Sequence, residues 1–463
     1  MNYFDAPGFE HLAVSHRDGG RDQNPQRTLE VSTNNRFLQY SDGSPFFYLA
    51  DTAWELLHRC TLPEAELYLR DRAAKGFTVI QTVLLAELDG LRAPDAGGRL
   101  PLVDEDPAQP NEEYFAHVDA VFDIAQSLGL FIGLLPTWGD KWNLRWGTGP
   151  EMLTSKGARS FGAYVGRRYA QRNVVWILGG DRPVESPQHL DILRCMAEAI
   201  REGDGGRNLI TAHVWGQHST SEYLLGEPWL DFHTIQSGHG RNFENWKLIH
   251  DDYARLPAMP CMDMEPAYEE SADSIGNIAG GFIDDYDVRK SLYWALFAGA
   301  HGHTYGCWPV WQMWDIGREP RMWVKRTWRE ALNAPGAGQV RHAKDLLLSR
   351  PFFDRIPDQS LILGDVGEAA FHRRATRDRA GTYALFFLPV GASVALDLAV
   401  LSDDRFVSWW FDPRTGASRL DRKGATSVPQ TFVPPSVGPD WVLVIDAASA
   451  GHPRPGSTSS SLG

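Results

Sequence analysis

The chain has 463 residues, which suggests one large domain and a smaller one, and its 43% hydrophobic and 22% charged content is ordinary for a globular protein. Its formal net charge of −14 argues against nucleic acid or an anionic membrane as a partner, because both favour a basic protein face. No basic region followed by an apolar run opens the chain and no stretch has the length of a transmembrane helix, so we expect a cytoplasmic location.

The first part of the chain predicts an irregular arm followed by a hairpin. Residues 1–27 are polar and rich in turn-forming residues. Two short alternating runs, 29–32 and 36–40, come next, and the dipeptide Asp42-Gly43 predicts a turn. We expect this hairpin to cap one end of the domain that follows.

Residues 28–350 predict an α/β domain. Apolar runs alternate with amphipathic helical segments, which is typical of a parallel sheet, and eight such units fit a (β/α)8 TIM barrel. An open doubly wound sheet is the alternative, but no glycine-rich phosphate-binding pattern follows a strand. In a barrel, the active site lies where the strands end. The predicted strands are 46–51, 77–85, 130–135, 174–178, 209–213, 232–236, 260–264 and 303–306.

The pattern changes after Pro351. Short alternating runs separated by glycine and proline predict a small antiparallel β-sandwich domain over residues 351–448. The segment 449–463 is rich in Gly, Pro and Ser, which predicts a disordered tail.

Two carboxylates end two different apolar runs. Asp181 ends the fourth predicted strand and Glu265 ends the seventh, each with a proline close behind it. One such residue alone could equally form a structural ion pair or a helix cap. Two of them at the same end of a barrel are what glycoside hydrolysis needs, one as acid and one as nucleophile or base. The acid of such a pair needs a raised pKa, and its partner needs hydrogen-bond donors around it.

Other polar and aromatic residues at the strand ends are candidates for binding substrate. The chain has 17 tryptophans, and flat aromatic surfaces in the loops at one end of a barrel suit sugar rings. A structural hydrogen bond or a core position is an equally open interpretation for each single residue. His213, Gln236 and Tyr305 are also candidate donors to Glu265. The candidate substrate-binding residues are Asp51, Trp54, Gln81, Glu87, Trp138, His213, Gln236, Tyr305 and Trp308.

Two other functions remain open. The strand-end residues His213, His233, His301 and His303 could, with Asp51, form a metal-dependent hydrolase site, although the first strand lacks the His-x-His pair of the amidohydrolase type. A barrel that binds carbohydrate without cleaving it is the second alternative. The cysteines show no zinc-type spacing, so no metal is predicted, and nothing in the sequence indicates an oligomeric state.

Four segments resemble the apiosidase-like glycoside hydrolases, family 140: residues 43–54, 76–81, 176–181 and the surroundings of Glu265-Pro266. The resemblance covers the barrel, and the C-terminal β domain stands where these proteins have a collagen-binding-like domain. It implies that Asp181 is the acid/base and Glu265 the nucleophile of a retaining enzyme that needs no cofactor. The related barrel glycosidases usually have Glu after Asn at the acid position, whereas this chain has Asp after Gly179-Gly180.

The expected substrate is a carbohydrate. We expect release of a terminal apiose-like or other furanose sugar from a glycan oligosaccharide. Exo action is expected because long loops follow the second, third and eighth predicted strands and could close one end of the cleft.

Overall fold

The computed structural model describes residues 27–274, 278–435 and 440–457, so the predicted arm lies almost wholly outside the described residues. The predicted hairpin is present and gains a third strand from the residues after the turn. Together they form an antiparallel sheet of β1 (Leu29–Val31), β2 (Leu38–Tyr40) and β3 (Pro45–Phe46).

A curled sheet of parallel strands forms the centre of the molecule, which confirms the predicted α/β barrel class. The strands are joined in the order β8-β7-β6-β5-β4-β12-β11-β10, and β9 is antiparallel to β10. They are β4 (Tyr48–Thr52), β5 (Val79–Leu85), β6 (Phe131–Thr137), β7 (Val174–Gly179), β8 (Ile210–His213), β9 (His218–Ser219), β10 (His233–Gln236), β11 (Cys261–Asp263) and β12 (Gly302–Tyr305).

Strands β8 and β10 are joined by single hydrogen bonds, and no regular β-ladder connects them among the described residues. The amide of Asp231 donates to the carbonyl of Ile210 at 2.9 Å. The hydroxyl of Thr211 donates to the carbonyl of Phe232 at 2.7 Å. These contacts bring the fifth and sixth parallel strands together, so the ends of all eight parallel strands surround one mouth.

Helices cover the outside of the sheet and start where the sequence carries capping residues. Thr61 and Glu64 form a capping box, and Asn111, Thr154 and Ser186 each accept a hydrogen bond from their helix's first turn. The helices are α1 (Leu56–Arg59), α2 (Leu62–Ala74), α3 (Glu112–Ser127), α4 (Ser155–Tyr169), α5 (Pro187–Asp204), α6 (Asn245–Ala254), α7 (Asp285–Ala298), α8 (Trp308–Trp311), α9 (Trp328–Ala331) and α10 (Pro335–Leu348).

The fifth strand–helix unit differs from the expectation. Between β8 and β10, all of whose residues are described, the chain forms β9 and a 3-10 turn at Thr220–Glu222 in place of an α-helix. No helix in the described ranges is long and apolar enough to cross a membrane.

The two faces of each barrel strand pack into different cores. Tyr48 and Ala50 of β4 belong to the core inside the barrel, with Val79 and Val83 of β5. Their neighbours in sequence face the helices outside. Since side chains alternate along a strand, this register decides which strand-end residues can reach the mouth.

The C-terminal domain contains two antiparallel sheets that share one apolar core, which confirms the predicted sandwich. The sheets are β13-β15-β16-β21-β18-β19 and β14-β17-β20. The strands are β13 (Arg355–Pro357), β14 (Ile362–Leu363), β15 (Arg374–Asp378), β16 (Tyr383–Leu388), β17 (Val394–Leu396), β18 (Arg405–Phe411), β19 (Ser418–Ala425), β20 (Gln430–Phe432) and β21 (Trp441–Ala447).

The described part of the predicted disordered tail packs on this domain and on the end of α10. The guanidinium of Arg454 donates from Nε to the Ser418 hydroxyl at 2.8 Å. The amide of Gly456 donates to the Ser349 hydroxyl at 3.2 Å. Residues 458–463 lie outside the described residues.

Buried ion pairs join the sandwich to the barrel. Arg289 of α7 donates from Nε and Nη2 to both oxygens of Asp440, each at 2.9 Å. Arg350 binds Asp446 in the same two-pronged way at 2.8 and 2.9 Å. Both arginines are almost fully buried, so protein groups must supply the hydrogen bonds that water would otherwise make, and these carboxylates accept two from each guanidinium.

We expect Asp440→Ala to lower the free energy of unfolding by about 2 kcal/mol or more, because it removes two charge-assisted hydrogen bonds from the buried Arg289 guanidinium, which keeps only Asp285 and Gln339 as side-chain partners. Chemical denaturation followed by circular dichroism measures this change. The control is Glu198→Ala, which breaks an exposed pair with Arg159 and should cost at most about 1 kcal/mol. Equal losses in the two variants would contradict the role assigned to the interface pair.

Candidate active site

One cavity of about 590 Å³ opens at the carboxyl ends of the barrel strands. This volume lies in the usual range for small-molecule sites. Aromatic rings and carboxyl groups dominate its lining, which gives it apolar surfaces with a few polar groups. The lining includes Trp54, Glu87, Trp138, Trp146, Asp181, Trp215, Gln236, His239, Glu265, Tyr268, Trp308, Trp311 and Arg321.

Glu265 reaches the cavity because the chain bends after β11. Asp263, two residues earlier, faces away toward α6. There it accepts hydrogen bonds from Asn245 at 2.9 Å and from Ser237 at 2.7 Å. The bend therefore separates two carboxylates that simple strand alternation would put on one face.

Two imidazoles hold the Glu265 carboxylate. His213 Nε2 lies 2.8 Å from Oε2, and His239 Nε2 lies 3.3 Å from Oε1. Burial alone would raise the pKa of Glu265, but the hydrogen bonds that His213 and His239 make to it outweigh burial and lower this pKa to about 2. Glu265 is consequently an anion at every pH at which the protein would work.

Asp181 follows two glycines that no other residue could replace without a clash. Gly179 and Gly180 have φ of +96° and +103°, and a Cβ on Gly179 would lie 2.4 Å from the His213 carbonyl. Asp181 itself has φ of +52°, a conformation that Asp and Asn tolerate better than most residues. This turn directs the short Asp side chain into the cavity.

The surroundings of Asp181 favour its protonated form. Burial, followed by the negative charge of Glu265, raises the pKa of Asp181, while the positive charge of Arg182 opposes that rise. The indole Nε1 of Trp146 donates to Asp181 Oδ2 at 3.1 Å. The two carboxyl groups thus have pKa values displaced in opposite directions, which is the arrangement that separates an acid from a nucleophile.

His213 connects the two carboxyl residues. Its Nδ1 accepts the backbone N–H of Asp181 at 3.1 Å, so this nitrogen carries no proton. The ring proton must then be on Nε2, which faces Glu265. Trp54 and Trp138 pack against the ring with centroids 5.6 and 5.7 Å away, which fixes its orientation.

The structure brings most of the predicted substrate-binding residues to the cavity. Trp54, Glu87, Trp138, Gln236 and Trp308 line it, and His213 lies directly behind Glu265. Burial, together with the charges of Asp181 and Glu55, raises the pKa of Glu87 to about 8. At neutral pH Glu87 is therefore mostly a neutral acid that can donate a hydrogen bond.

Three predicted residues lie elsewhere, and their expected contacts with substrate are corrected here. Asp51 faces outward, where Arg72 Nε lies 2.5 Å from its Oδ2. Tyr305 also faces outward and donates to Glu269 at 2.6 Å rather than to Glu265.

Gln81 points into the barrel below the cavity, where its Nε2 donates to the Thr304 hydroxyl at 3.0 Å. All three side chains are fully buried among protein atoms, so none offers a surface to a sugar.

Several residues of the cavity lining were not indicated by the sequence pattern, among them His239, Tyr268 and Trp146. His239 lies three positions beyond the last residue of β10, and Tyr268 lies three positions beyond Glu265. Trp146 comes from the middle of the long loop after β6. The sequence shows only how far each of these residues lies from the end of a strand. That distance does not tell whether the side chain points into the cavity, because a loop residue can point in any direction.

The strand-end histidines do not assemble into a metal site. His233, His301 and His303 are buried and do not line the cavity. Within the described ranges, no group of three or more His, Cys, Asp or Glu side chains is arranged to hold a metal ion. The described residues therefore do not contain the group of metal ligands that a metal-dependent hydrolase would need.

Comparisons with known proteins agree with this geometry. Residues 32–354 match the family model "Apiosidase-like, catalytic domain", and residues 356–446 match "Putative collagen-binding domain of a collagenase". A search of curated proteins found no match.

Two solved structures are similar over most of the chain. One, named "Glycoside hydrolase", is 29% identical with a TM-score of 0.84 and covers 91% of this chain and 97% of its own. Another, a glycoside hydrolase family 5 protein from Bacteroides vulgatus ATCC 8482, is 27% identical with a TM-score of 0.84 and covers 91% of this chain and 94% of its own.

We expect Trp146→Phe to move the basic limb of the pH–rate profile to higher pH. The indole hydrogen bond stabilises the Asp181 carboxylate and so lowers its pKa; without that bond the pKa rises, and the acid keeps its proton to higher pH. The pH dependence of kcat/KM measures the shift. Trp314→Phe, which removes an indole bond to the Arg318 carbonyl outside the cavity, is the matched control. An unmoved limb in Trp146→Phe would show that this hydrogen bond does not tune Asp181.

Proposed function

Because the chain belongs to the apiosidase-like glycoside hydrolases, we propose that it is a retaining, exo-acting enzyme that removes a terminal apiose-like or other furanose sugar from a glycan oligosaccharide. The observation that carries the proposal is the pair of carboxyl groups in one cavity with opposed pKa shifts. Glu265 is kept ionised and Asp181 is biased toward its protonated form, as a nucleophile and an acid require.

In the first step, a Glu265 oxygen attacks the anomeric carbon and the bond from that carbon to the leaving oxygen breaks. The proton of Asp181 goes to the leaving oxygen, so the departing group leaves as a neutral alcohol. The sugar is then held as an ester of Glu265, and Asp181 carries the negative charge.

In the second step, Asp181 takes a proton from water while the water oxygen attacks the anomeric carbon and frees Glu265. Asp181 can change from acid to base because the charge beside it changes between the two steps. The Glu265 anion helps to raise the pKa of Asp181, and the ester removes that anion. The pKa of Asp181 therefore falls in the intermediate, when Asp181 must act as a base.

The low pKa of Glu265 supports retention rather than inversion. An inverting enzyme would need this carboxylate to take a proton from water, and a group with a pKa of about 2 is a weak base. A carboxylate of this kind suits direct attack and later departure from the anomeric carbon. Its two histidine contacts also fix its position, as attack requires.

Residues from two loops in the cavity lining support exo action. Arg321 and Met322, from the loop after α8, line one side of the cavity, and Trp146 from the loop after β6 lines another. Loops of this kind close a groove into a pocket that accepts the end of a chain. The furanose preference rests on the family alone.

We expect Glu265→Gln to lower kcat/KM by at least about 10⁴-fold, because it removes the nucleophile. Asp181→Asn should lose about 10²–10⁴-fold on an alkyl glycoside but much less on a 4-nitrophenyl glycoside, whose leaving group needs no proton. Steady-state kinetics on the two substrates measures both effects. Glu244→Gln, a change outside the cavity lining, is the control.

Equal losses on both substrates in Asp181→Asn would remove Asp181 from the acid role. A Glu265→Gln variant with normal turnover would remove Glu265 from the mechanism and would leave a binding-only barrel or another site to be considered.

We expect the configuration at the anomeric carbon to be retained. Cleavage in the presence of methanol, followed by ¹H NMR, gives a methyl glycoside that does not mutarotate, so its anomer reports the outcome directly. A product of inverted configuration would mean that Glu265 activates water instead of attacking the sugar.

A further inference from the structure

Two tryptophans in the cavity lie beside the acid rather than beside the nucleophile. Trp146 comes from the loop after β6 and Trp215 from the loop after β8, so they flank Asp181, which follows β7. Trp146 is in direct contact with Asp181 through its indole N–H at 3.1 Å. The acid protonates the leaving oxygen, so the group that departs must lie against this side of the cavity.

Both rings are held in place by neighbours before any ligand arrives. Trp215 stacks on His218 with centroids 4.3 Å apart and planes 7° apart, and its Nε1 donates to the Tyr223 hydroxyl at 2.9 Å. The guanidinium of Arg182 lies 4.3 Å from the centre of the Trp146 ring. Rings that are already fixed lose little entropy when a ligand packs on them.

The two rings are neighbours at the cavity wall. Their centroids are 6.3 Å apart and their planes are inclined by 33°. Arg145 lies beside both rings, 5.9 Å from the Trp146 centroid and 5.3 Å from that of Trp215. Both tryptophans are only half-buried and line the cavity, unlike Trp54 and Trp138, which are 2% exposed.

We propose that Trp146 and Trp215 form the binding site for the leaving group, and that this leaving group is itself a sugar ring. The apolar C–H face of a sugar packs on flat aromatic surfaces of this kind, whereas a small alcohol would leave them exposed. The inference rests on the proposed glycosidase function. It adds which residues bind the second sugar of the oligosaccharide and so make the enzyme select for it.

The test compares two probes that share one terminal sugar: a methyl apiofuranoside and an apiofuranosyl disaccharide of the same anomer. We expect Trp215→Ala to lower kcat/KM for the disaccharide by about tenfold. Hydrolysis of the methyl glycoside should stay within about twofold of wild type, because the methyl group does not reach the ring. Trp215→Phe, which keeps a flat ring, should recover most of the activity on the disaccharide.

Trp323→Ala is the matched control, since Trp323 is 58% exposed and does not line the cavity. Thermal melting shows whether each variant is folded, and Trp215→Leu, which keeps apolar bulk without a flat ring, replaces Trp215→Ala if the latter unfolds. Equal losses on both probes in a folded variant would overturn the inference, as would no loss on the disaccharide. Wild-type protein that cleaves neither probe would instead overturn the proposed substrate, and the inference that rests on it.

Discussion

The contact between Glu265 and His213 is the interaction on which the active site depends. The Glu265 side chain is only 8% exposed, so it is stable as an anion only where protein groups replace water. His213 supplies one such group, and its other nitrogen accepts the backbone N–H of Asp181. A single imidazole therefore sets the position of two strand ends, β7 and β11, through a residue of β8. Any shift of one strand relative to the others would break one of these contacts.

The sandwich domain supports the same part of the barrel. Two of its contacts at α7 are the Arg289–Asp440 pair and the stacking of Tyr293 on Phe387, with ring centroids 5.0 Å apart. A third contact is the stacking of His372 on Trp246 of α6, at 4.1 Å. Helices α6 and α7 cover β10 to β12, the strands before His239, Glu265 and α8. The domain thus stabilises the half of the barrel that carries the nucleophile.

The barrel, the sandwich and the two carboxyl residues could be read from the sequence because long apolar runs and strand-end acids are local signals. Which face a residue takes is not local in a parallel barrel, since both faces of each strand are apolar. Asp51 and Tyr305 therefore looked equivalent to residues that enter the cavity. The polar edge strand β19, sequence SRLDRKGA, gave no alternating pattern, and its pairing with β18 decides its conformation. His239 and Trp146 depend on loop geometry that no periodicity describes.

The charges of the three carboxyl groups in the cavity, on Glu87, Asp181 and Glu265, depend on one another. Glu265 is ionised, and its charge helps to hold the proton on Asp181. Glu87 has a pKa of about 8. If it were ionised, its negative charge would raise the pKa of Asp181 and so disfavour the anion that Asp181 must form during the cycle. Because Glu87 stays mostly neutral near pH 7, the proposed cycle keeps about one negative charge in the cavity, on Glu265 in the free enzyme and on Asp181 in the ester. Glu87 is thereby left free to donate a hydrogen bond to a sugar hydroxyl, a role that its burial makes possible and that an ionised carboxylate could not fill.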